Sequence, residues 1–524
     1  MTQLNSKYHT VILGGGHNGL VAANYLAKAG KKVLVLEKND YLGGATTSQK
    51  AFPDYEASLS RYSYLVSLFP NELFAELGMK INLLPRRIAS YTPYFHNSHQ
   101  GLLISNAEES VSHQSILDLG YGESEWQGYQ HILQQQTTFA ELVWDSFLQP
   151  LKAKSDFEKQ FKEAGQSELW RAFVEEPIGH FIEKYVQSDI LRGILMTDAK
   201  IGAYTSAYDE SLLQNRTFLY HVVGNKTGEW RVPEGGMGNV ARQLAENAER
   251  RGAALYTNAS IKSIHTGDTH HQLEIEVGGK SYEIKAEYIL SNASETVLQR
   301  LMGEPPTAAT PQDEGTAFKI NMLLARLPKL KDQKVRPEDA FAGTFHINQS
   351  YGQMERTFAE AAAGNIPTVA AGEIYCHTLT DTSILSPELR EKGFHTLTYF
   401  GIDFPHRLFT ADNKVAKQEV VDRFLAGIND YLAEPIEDCF ARDAQGNLCL
   451  EAKSALDLEQ ELNLPLGNIF HNALSWFYAE DESAVGTWGV ETPHERIYVC
   501  GSSAKRGGAV SGIPGRNAAR KVLG

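Results

Sequence analysis

Three glycines, Gly14, Gly16 and Gly19, stand between a short β-branched and apolar run at residues 10–13 and a stretch of helix formers at 19–29. Gly30 suits a helix stop. A second apolar run, KVLVL at 32–36, reads as a buried parallel strand. Strand, glycine turn, helix and strand within about 30 residues form a βαβ unit. Few folds accommodate that order, so this unit constrains the chain more than any other feature.

Each glycine answers a different steric demand. Gly14 allows a tight turn, Gly16 lets the backbone lie against a pyrophosphate, and Gly19 lets the helix pack onto the sheet. The helix start then directs free N–H groups and a positive partial charge at phosphates. His17 and Asn18 lie inside this loop and are expected to shape it. Glu37 follows the last glycine by 37 − 19 = 18 residues, at the end of the second strand. A carboxylate there accepts hydrogen bonds from a ribose diol and repels a 2′-phosphate, which disfavours an NADP-type ligand. Glycines, helix and closing acid together make a dinucleotide fingerprint. Because one complete copy is present, a second tightly held nucleotide is not expected.

Two further features favour FAD over NAD. Gly43-Gly44 follows Glu37 after a short loop, an order that resembles FAD proteins of the glutathione-reductase-like superfamily; Lys38 and Ala45 are read with it as cofactor contacts. Near the C terminus, Tyr498-Val499-Cys500-Gly501-Ser502 precedes Gly507-Gly508-Ala509 and a helix from about Ile513. In such flavoproteins this returning strand brings a loop to the ribityl chain. The helix start behind it stabilises negative charge on a reduced ring.

Composition removes several classes. At 524 residues the chain exceeds one hydrophobic core. A net charge of −15 argues against nucleic acid and against a broad anionic-lipid surface. No run is long and apolar enough to span a bilayer. The first residues lack a basic segment followed by a long apolar one, so a cytoplasmic protein is expected, with peripheral membrane contact left open. The cysteines, Cys376, Cys439, Cys449 and Cys500, have neither C-x-x-C nor zinc-finger spacing, so neither a redox dithiol nor a structural metal is expected.

The expected architecture is α/β: a Rossmann-like FAD-binding domain with an inserted α+β substrate domain. Segments 1–90, 228–300 and 490–524 are assigned to the cofactor domain, 91–227 to a substrate or helical segment, and 301–489 to a substrate sheet with helices. Within these, 115–206 reads as helical, 239–251 as a helix, 254–256 as a strand, 273–284 as a hairpin and 288–291 as a strand. Residues 319–324, 345–347, 368–375 and 396–400 read as a second sheet, 415–432 as a long helix, and 497–500 as the last strand.

Six blocks carry a family resemblance: GGGHNGLVAANYLAKAG with LEKNDYLGGA, SLSRYSYLVSLF, GEWRVPEGGMGNV, FKINMLLARLPKL, LPLGNIFHNALS and YVCGSSAKRGGAVSGIPGRNAA. They resemble the phytoene desaturase and carotenoid ketolase group. Within it they are most similar to the phytoene dehydrogenase-related proteins, also called pyridine nucleotide-disulfide oxidoreductase domain-containing proteins. The resemblance implies FAD, bound by Gly14, Gly16, Gly19, Glu37, Gly43 and Gly44. It places the backbone of Ile261 at the adenine, and Gly501, Ser502, Gly508, Val510 and Ser511 along the ribityl and flavin parts. Gly235-Gly236-x-Gly238 matches a loop that joins the two domains, or else a simple turn and helix start. The chain departs from the group's pattern at Lys505-Arg506, where His-Pro is frequent, and at Ala509, where a third glycine is. A cation beside the flavin favours an anionic reduced ring or an acidic substrate group.

Flavin performs hydride transfer itself, so no catalytic acid or base is obligatory. The candidates are Arg61 and Tyr62 in SLSRYSY and His471 in GNIFHNALS. Each has an ordinary alternative: an ion pair, a core aromatic, a satisfied core histidine. His221 is weaker still, and Trp476, Phe477 and Tyr478 line either an apolar tunnel or a core. The leading expectation is an FAD-dependent dehydrogenase or desaturase acting on an apolar, carotenoid-like or other lipid substrate, with an unidentified electron acceptor. Ketolation, double-bond isomerisation and a flavin-containing interaction protein remain open, and an amine oxidase shares the GGMG block.

Overall fold

The structure is a computed structural model and describes residues 4–96 and 98–524. Its cofactor-side sheet has five parallel strands in the order Ala254–Tyr256, Val33–Leu36, Lys7–Leu13, Lys280–Ser291 and Ile497–Val499. The strand Val33–Leu36 is buried throughout, as its unbroken apolar run requires. Helix His17–Lys28 packs on this sheet and contacts helices Met237–Arg250 and Ile513–Leu523. Gly515 allows that last contact, because a Cβ there would stand 2.0 Å from the Asn18 carbonyl oxygen.

The expected hairpin and the strand after it prove to be one meander. Ala259–His265, His271–Val277 and the first half of Lys280–Ser291 pair antiparallel, and the second half of the same long strand enters the parallel sheet. The intervening residues Lys285 to Glu287 continue the ladder, so nothing separates the two expected strands.

The second sheet has seven strands in the order Leu450–Lys453, Phe318–Leu324, His395–Gly401, Gly372–Tyr375, Thr344–Ile347, Ile88–His96 and Ser98–Ser105. All neighbours are antiparallel except Thr344–Ile347 with Ile88–His96. Three differences from the sequence reading appear. The hairpin Ile88–His96/Ser98–Ser105 and the strand Leu450–Lys453 were not anticipated, since mixed polar and apolar residues hide their alternation. The expected strand at 368–375 begins only at Gly372; Thr368 is held instead by Glu360, through Oγ1 at 2.8 Å.

Between the hairpin and residue 222 the chain is helical, led by Glu123–Val143, with Ile178–Tyr185, Asp189–Thr197 and Leu213–Val222. Phe139, Phe161, Phe173 and Phe218 form the centre of its core. A fully buried ion pair ties this helical layer to the second sheet. Lys200 Nζ lies 3.1 Å from Asp403 Oδ1 and donates to the Thr205 carbonyl at 2.7 Å; Thr357 Oγ1 donates to Asp403 Oδ2 at 2.8 Å.

Candidate cofactor and substrate site

The glycine loop meets the carboxyl end of the parallel sheet. Gly14 has φ +87° and donates its amide to the Leu36 carbonyl at 2.8 Å. Gly16 precedes helix His17–Lys28, whose start carries no side-chain cap and no acid in its first turn. Its N–H groups and partial positive charge are therefore free for an anion. Gly19 packs so closely that a Cβ would stand 2.5 Å from the Gly14 carbonyl oxygen. His17 Nδ1 lies 3.0 Å from Thr46 Oγ1, while among the described residues Asn18 Oδ1 is buried without a hydrogen-bond partner.

Glu37 is buried at the rim. Its Oε2 accepts from the Gly15 amide at 2.8 Å and its Oε1 from the Asn39 amide at 2.9 Å. Burial raises its pKa, and those two amides oppose the shift. The Glu37 carbonyl accepts from the Ala259 amide at 2.8 Å, which brings the strand of Ile261 alongside. Lys38 is exposed at the same edge. Gly43 donates to the Gly15 carbonyl at 2.8 Å, so the Gly43-Gly44 turn lies against the phosphate loop. The Ala45 carbonyl accepts both the amide and the hydroxyl of Ser63, at 3.2 and 2.8 Å.

The C-terminal segment closes the crevice. The Cys500 amide donates to the Ser291 carbonyl at 2.7 Å, and a Cβ on Gly501 would stand 2.5 Å from the Asn292 carbonyl oxygen. Ser502 is half-buried at the turn, and Val510 and Ser511 are buried. Ser511 Oγ accepts from the Ile513 amide at 3.3 Å, opening the terminal helix. Gly508, at φ +100°, admits Tyr220, Phe470 and Leu474 so closely that a Cβ would approach all three within 3.1 Å. Among the described residues, Tyr220 Oη, which lies beside it, and His471 Nδ1 are buried without a hydrogen-bond partner. Bare helix-start amides, a rim carboxylate and these orphaned polar atoms fit FAD, whose phosphates, ribose and ring edge supply the missing partners.

The expected catalytic candidates sit differently from one another. Arg61 grips Glu451, with Nε 3.0 Å from Oε2, and reaches Gln49 Oε1 at 2.9 Å; Tyr62 donates to Glu461 at 2.7 Å. These bonds clamp the loop to the strand Leu450–Lys453 and the helix behind it. His471 is half-buried at φ +70°, beside the Gly508 loop, and desolvation lowers its pKa to about 4. His17 is likewise lowered to about 4 by burial, with His471 working in the same direction. His221 Nδ1 is committed to the Thr217 carbonyl at 2.8 Å.

Gly235-Gly236-x-Gly238 does join the two halves. Gly235 donates to Asp381 Oδ2 at 2.8 Å, Met237 to Ser60 Oγ at 3.1 Å and Gly238 to Ser48 Oγ at 2.9 Å. The expected cation beside the flavin is otherwise engaged. Arg506 donates to the carbonyls of Ser146, Gln149 and Trp488 at 2.6, 2.7 and 3.0 Å, and Lys505 pairs with Glu480 at 2.5 Å. Phe477 packs edge-on against Phe157 at 4.9 Å, as core, yet with Trp476 it also borders a cleft. That cleft runs between Leu219, Tyr220, Leu474 and Gly507.

Sequence reasoning missed several residues here. Asn292 Nδ2 donates to the Gly14 carbonyl at 3.2 Å; its signal was its position just past a parallel strand, where ligands bind. Lys319 is a lone cation in the buried strand FKINMLL, a pattern that itself flags a site. It donates to the carbonyls of Ser60 and Tyr62 at 2.9 and 2.7 Å and lies 4.7 Å from the Tyr64 ring centre; burial holds its pKa well below the usual lysine value.

Residues 19–344 match the family described as flavin containing amine oxidoreductase. The chain belongs to that family, and it is an FAD-dependent oxidoreductase with a Rossmann-like α/β fold. It is 41% identical to an uncharacterised protein of Mycobacterium tuberculosis, over 100% of this chain and 98% of that one. It is 26% identical to the mouse pyridine nucleotide-disulfide oxidoreductase domain-containing protein 2, over 99% of this chain and 94% of that one. Its fold is similar to that of a putrescine oxidase, with a TM-score of 0.59 at 16% identity over 99% of both chains. The resemblance to the pyridine nucleotide-disulfide oxidoreductase domain-containing proteins is thus found again among its relatives. Among the described residues no helix is long and apolar enough to cross a membrane.

Proposed function

We propose that the chain is a dehydrogenase of the desaturase type, removing hydride from a C–H bond of a substrate with an apolar body. One observation carries this reading: the cleft beside Gly507 is walled chiefly by the apolar side chains of Phe147, Leu219, Tyr220, Leu474, Trp476 and Phe477, with Arg216, Ser475 and Arg506 completing its lining. FAD, when bound, supplies hydride acceptance at flavin N5, and a separate acceptor later removes the electrons. The chain's own contribution is binding and orientation. The Gly14–Gly19 loop and Glu37 hold the dinucleotide, the Ser63–Ala45 bonds fix the adjoining loop, and the aromatic walls keep water from the reacting carbon.

The purified protein is expected to be yellow and to release FAD on denaturation. Anaerobic mixing with long apolar alcohols or polyenes is expected to bleach the flavin. Bleaching by amines alone would move the chemistry to amine oxidation, and product formed without bleaching would move it to isomerisation. A protein that refuses FAD would end the proposal altogether.

A further inference from the structure

A second group of buried polar side chains lies on the substrate sheet, one residue from the loop anchored to the cofactor side. Ser63 is bonded to Ala45, and the next residue, Tyr64, packs at a tilt against Tyr375 with ring centres 4.7 Å apart. Tyr375 stacks on His377 at 5.9 Å and donates to Glu373 at 2.5 Å. The Arg86 guanidinium lies 5.8 Å from the Tyr375 ring centre. Three separate segments, carrying Tyr64, Arg86 and Tyr375, therefore converge on one place.

Arg86 is half-buried, and its partners among the described residues are neutral: Thr344 Oγ1 at 2.9 Å, the Trp230 carbonyl at 3.2 Å and the Tyr375 ring. Among the described residues no carboxylate is hydrogen-bonded to it, although Glu373 and Asp198 lie within its electrostatic reach. A guanidinium drawn from water without a counter-ion is costly, and a planar carboxylate satisfies its fork best. The nearby acids do not fill that need. Glu373, which is 5% exposed, and Asp198, at the end of helix Asp189–Thr197, have pKa values raised by burial to about 8 and about 7. Burial thus favours the protonated, hydrogen-bond-donating form of each. Among the described residues, His377 Nε2 is buried with no hydrogen-bond partner, a further polar atom beside the cluster. One unmatched cation among hydroxyl donors complements an anion.

The apolar cleft and this cluster are joined by one helix. Tyr220 borders the cleft, while its neighbour His221 packs at a tilt against Trp230, with ring centres 5.3 Å apart, and the Trp230 carbonyl holds Arg86. We propose that the cluster is the polar end of the substrate site, and that the substrate is an apolar carboxylic acid whose carboxylate is gripped by Arg86. This inference rests on the flavoenzyme reading above and narrows its substrate class. The carboxylate is bound and not transformed; it fixes which carbon of the apolar body faces the flavin.

Binding to the FAD-loaded protein tests the idea without turnover. Octanoate, octylamine and octanol share one apolar body and differ in the head group, so each is titrated against flavin absorbance and by calorimetry. Octanoate is expected to bind at least tenfold more tightly than the other two. Arg86→Met is expected to weaken octanoate at least tenfold and to leave octanol within about twofold, as expected when a bidentate charged contact worth about 1.4 kcal/mol or more is lost. Arg86→Lys keeps the charge without the fork and is expected to fall between. If Arg86→Met does not fold, the head-group series on the wild type and Arg86→Lys decide the matter. Tighter binding of octylamine, or octanoate affinity unchanged in the variants, overturns the proposal. A yellow protein that ignores octanoate refutes this inference alone, whereas a colourless one refutes the reading beneath it.

Discussion

Asn292, just past the fourth strand of the parallel sheet, donates its side-chain amide to the carbonyl of Gly14 at 3.2 Å. The same amide would stand 2.6 Å from a Cβ placed on Gly16. One asparagine thus braces the phosphate loop and lies where any side chain at Gly16 would intrude. The Gly16→Ala variant is expected to push Asn292 aside and weaken FAD at least tenfold. The double variant Gly16→Ala/Asn292→Ala removes that clash, yet its methyl group still faces the pyrophosphate path. FAD titration of both variants checks this; recovery of wild-type affinity in the double variant would show that Asn292 alone sets the limit.

Glu37 accepts two backbone amides, one on each oxygen, and neither amide can be reversed. A glutamine there has one accepting oxygen, so its NH2 must face one of those donors. Glu37→Gln is therefore expected to disorder the Gly15 turn and weaken FAD by about tenfold or more, since a charge-assisted hydrogen bond contributes about 1.5–3 kcal/mol. Equilibrium dialysis against FAD measures it. Unchanged affinity would mean that the ribose is held elsewhere.

The pair Lys200–Asp403 has no water to fall back on, both side chains being 0% exposed. Removing one charge strands the other, which costs about 3–5 kcal/mol. Lys200→Met is expected to lower the melting temperature steeply, and Lys200→Met/Asp403→Asn to recover a substantial part of the loss. Thermal melts of the singles and the double close the cycle. A single variant as stable as wild type would show that the pair is not an energetic link between the helical layer and the second sheet.

The cofactor half was largely legible because its demands are local. The Gly14-x-Gly16-x-x-Gly19 loop, Glu37 eighteen residues on, and the returning strand at Ile497–Val499 each advertise themselves within one short segment. The substrate half was not, because its site is made by tertiary approach. Arg86, Asp198 and the pair Glu373 and Tyr375 come from three segments whose proximity no spacing reveals. Arg61 and Tyr62 show the converse. They lie in a family-like motif, and their side chains turn to Glu451 and Glu461, a pairing that the strand Leu450–Lys453 creates and that went unseen with it. The sign that was available was a charge inside an apolar run, at Lys319 and again at Glu373.

The buried acids set a pH dependence whose direction follows from their environment. Glu373 is raised from 4.5 to about 8, and Asp198 from 3.8 to about 7, each chiefly by burial. An acid whose folded pKa exceeds its unfolded one holds its proton more tightly when folded. Its stabilising contribution is complete below the unfolded value and is lost as pH rises through the folded one. The protein without substrate is therefore expected to lose thermal stability progressively between about pH 5 and about pH 8 at these two groups. Four buried histidines and the half-buried His471 oppose this trend at the acid end. His17, His221, His346 and His471 are lowered to about 4 and His377 to about 3, mainly by burial. Their contribution is present above 6.5 and is lost as pH falls through those values. Melting temperatures against pH should therefore trace a dome, and Glu373→Gln, which mimics the protonated acid, should flatten its alkaline flank while leaving the acid flank in place. If the variant keeps the wild-type alkaline slope, Glu373 is ionised in the folded protein at neutral pH, and Arg86 already has its counter-ion.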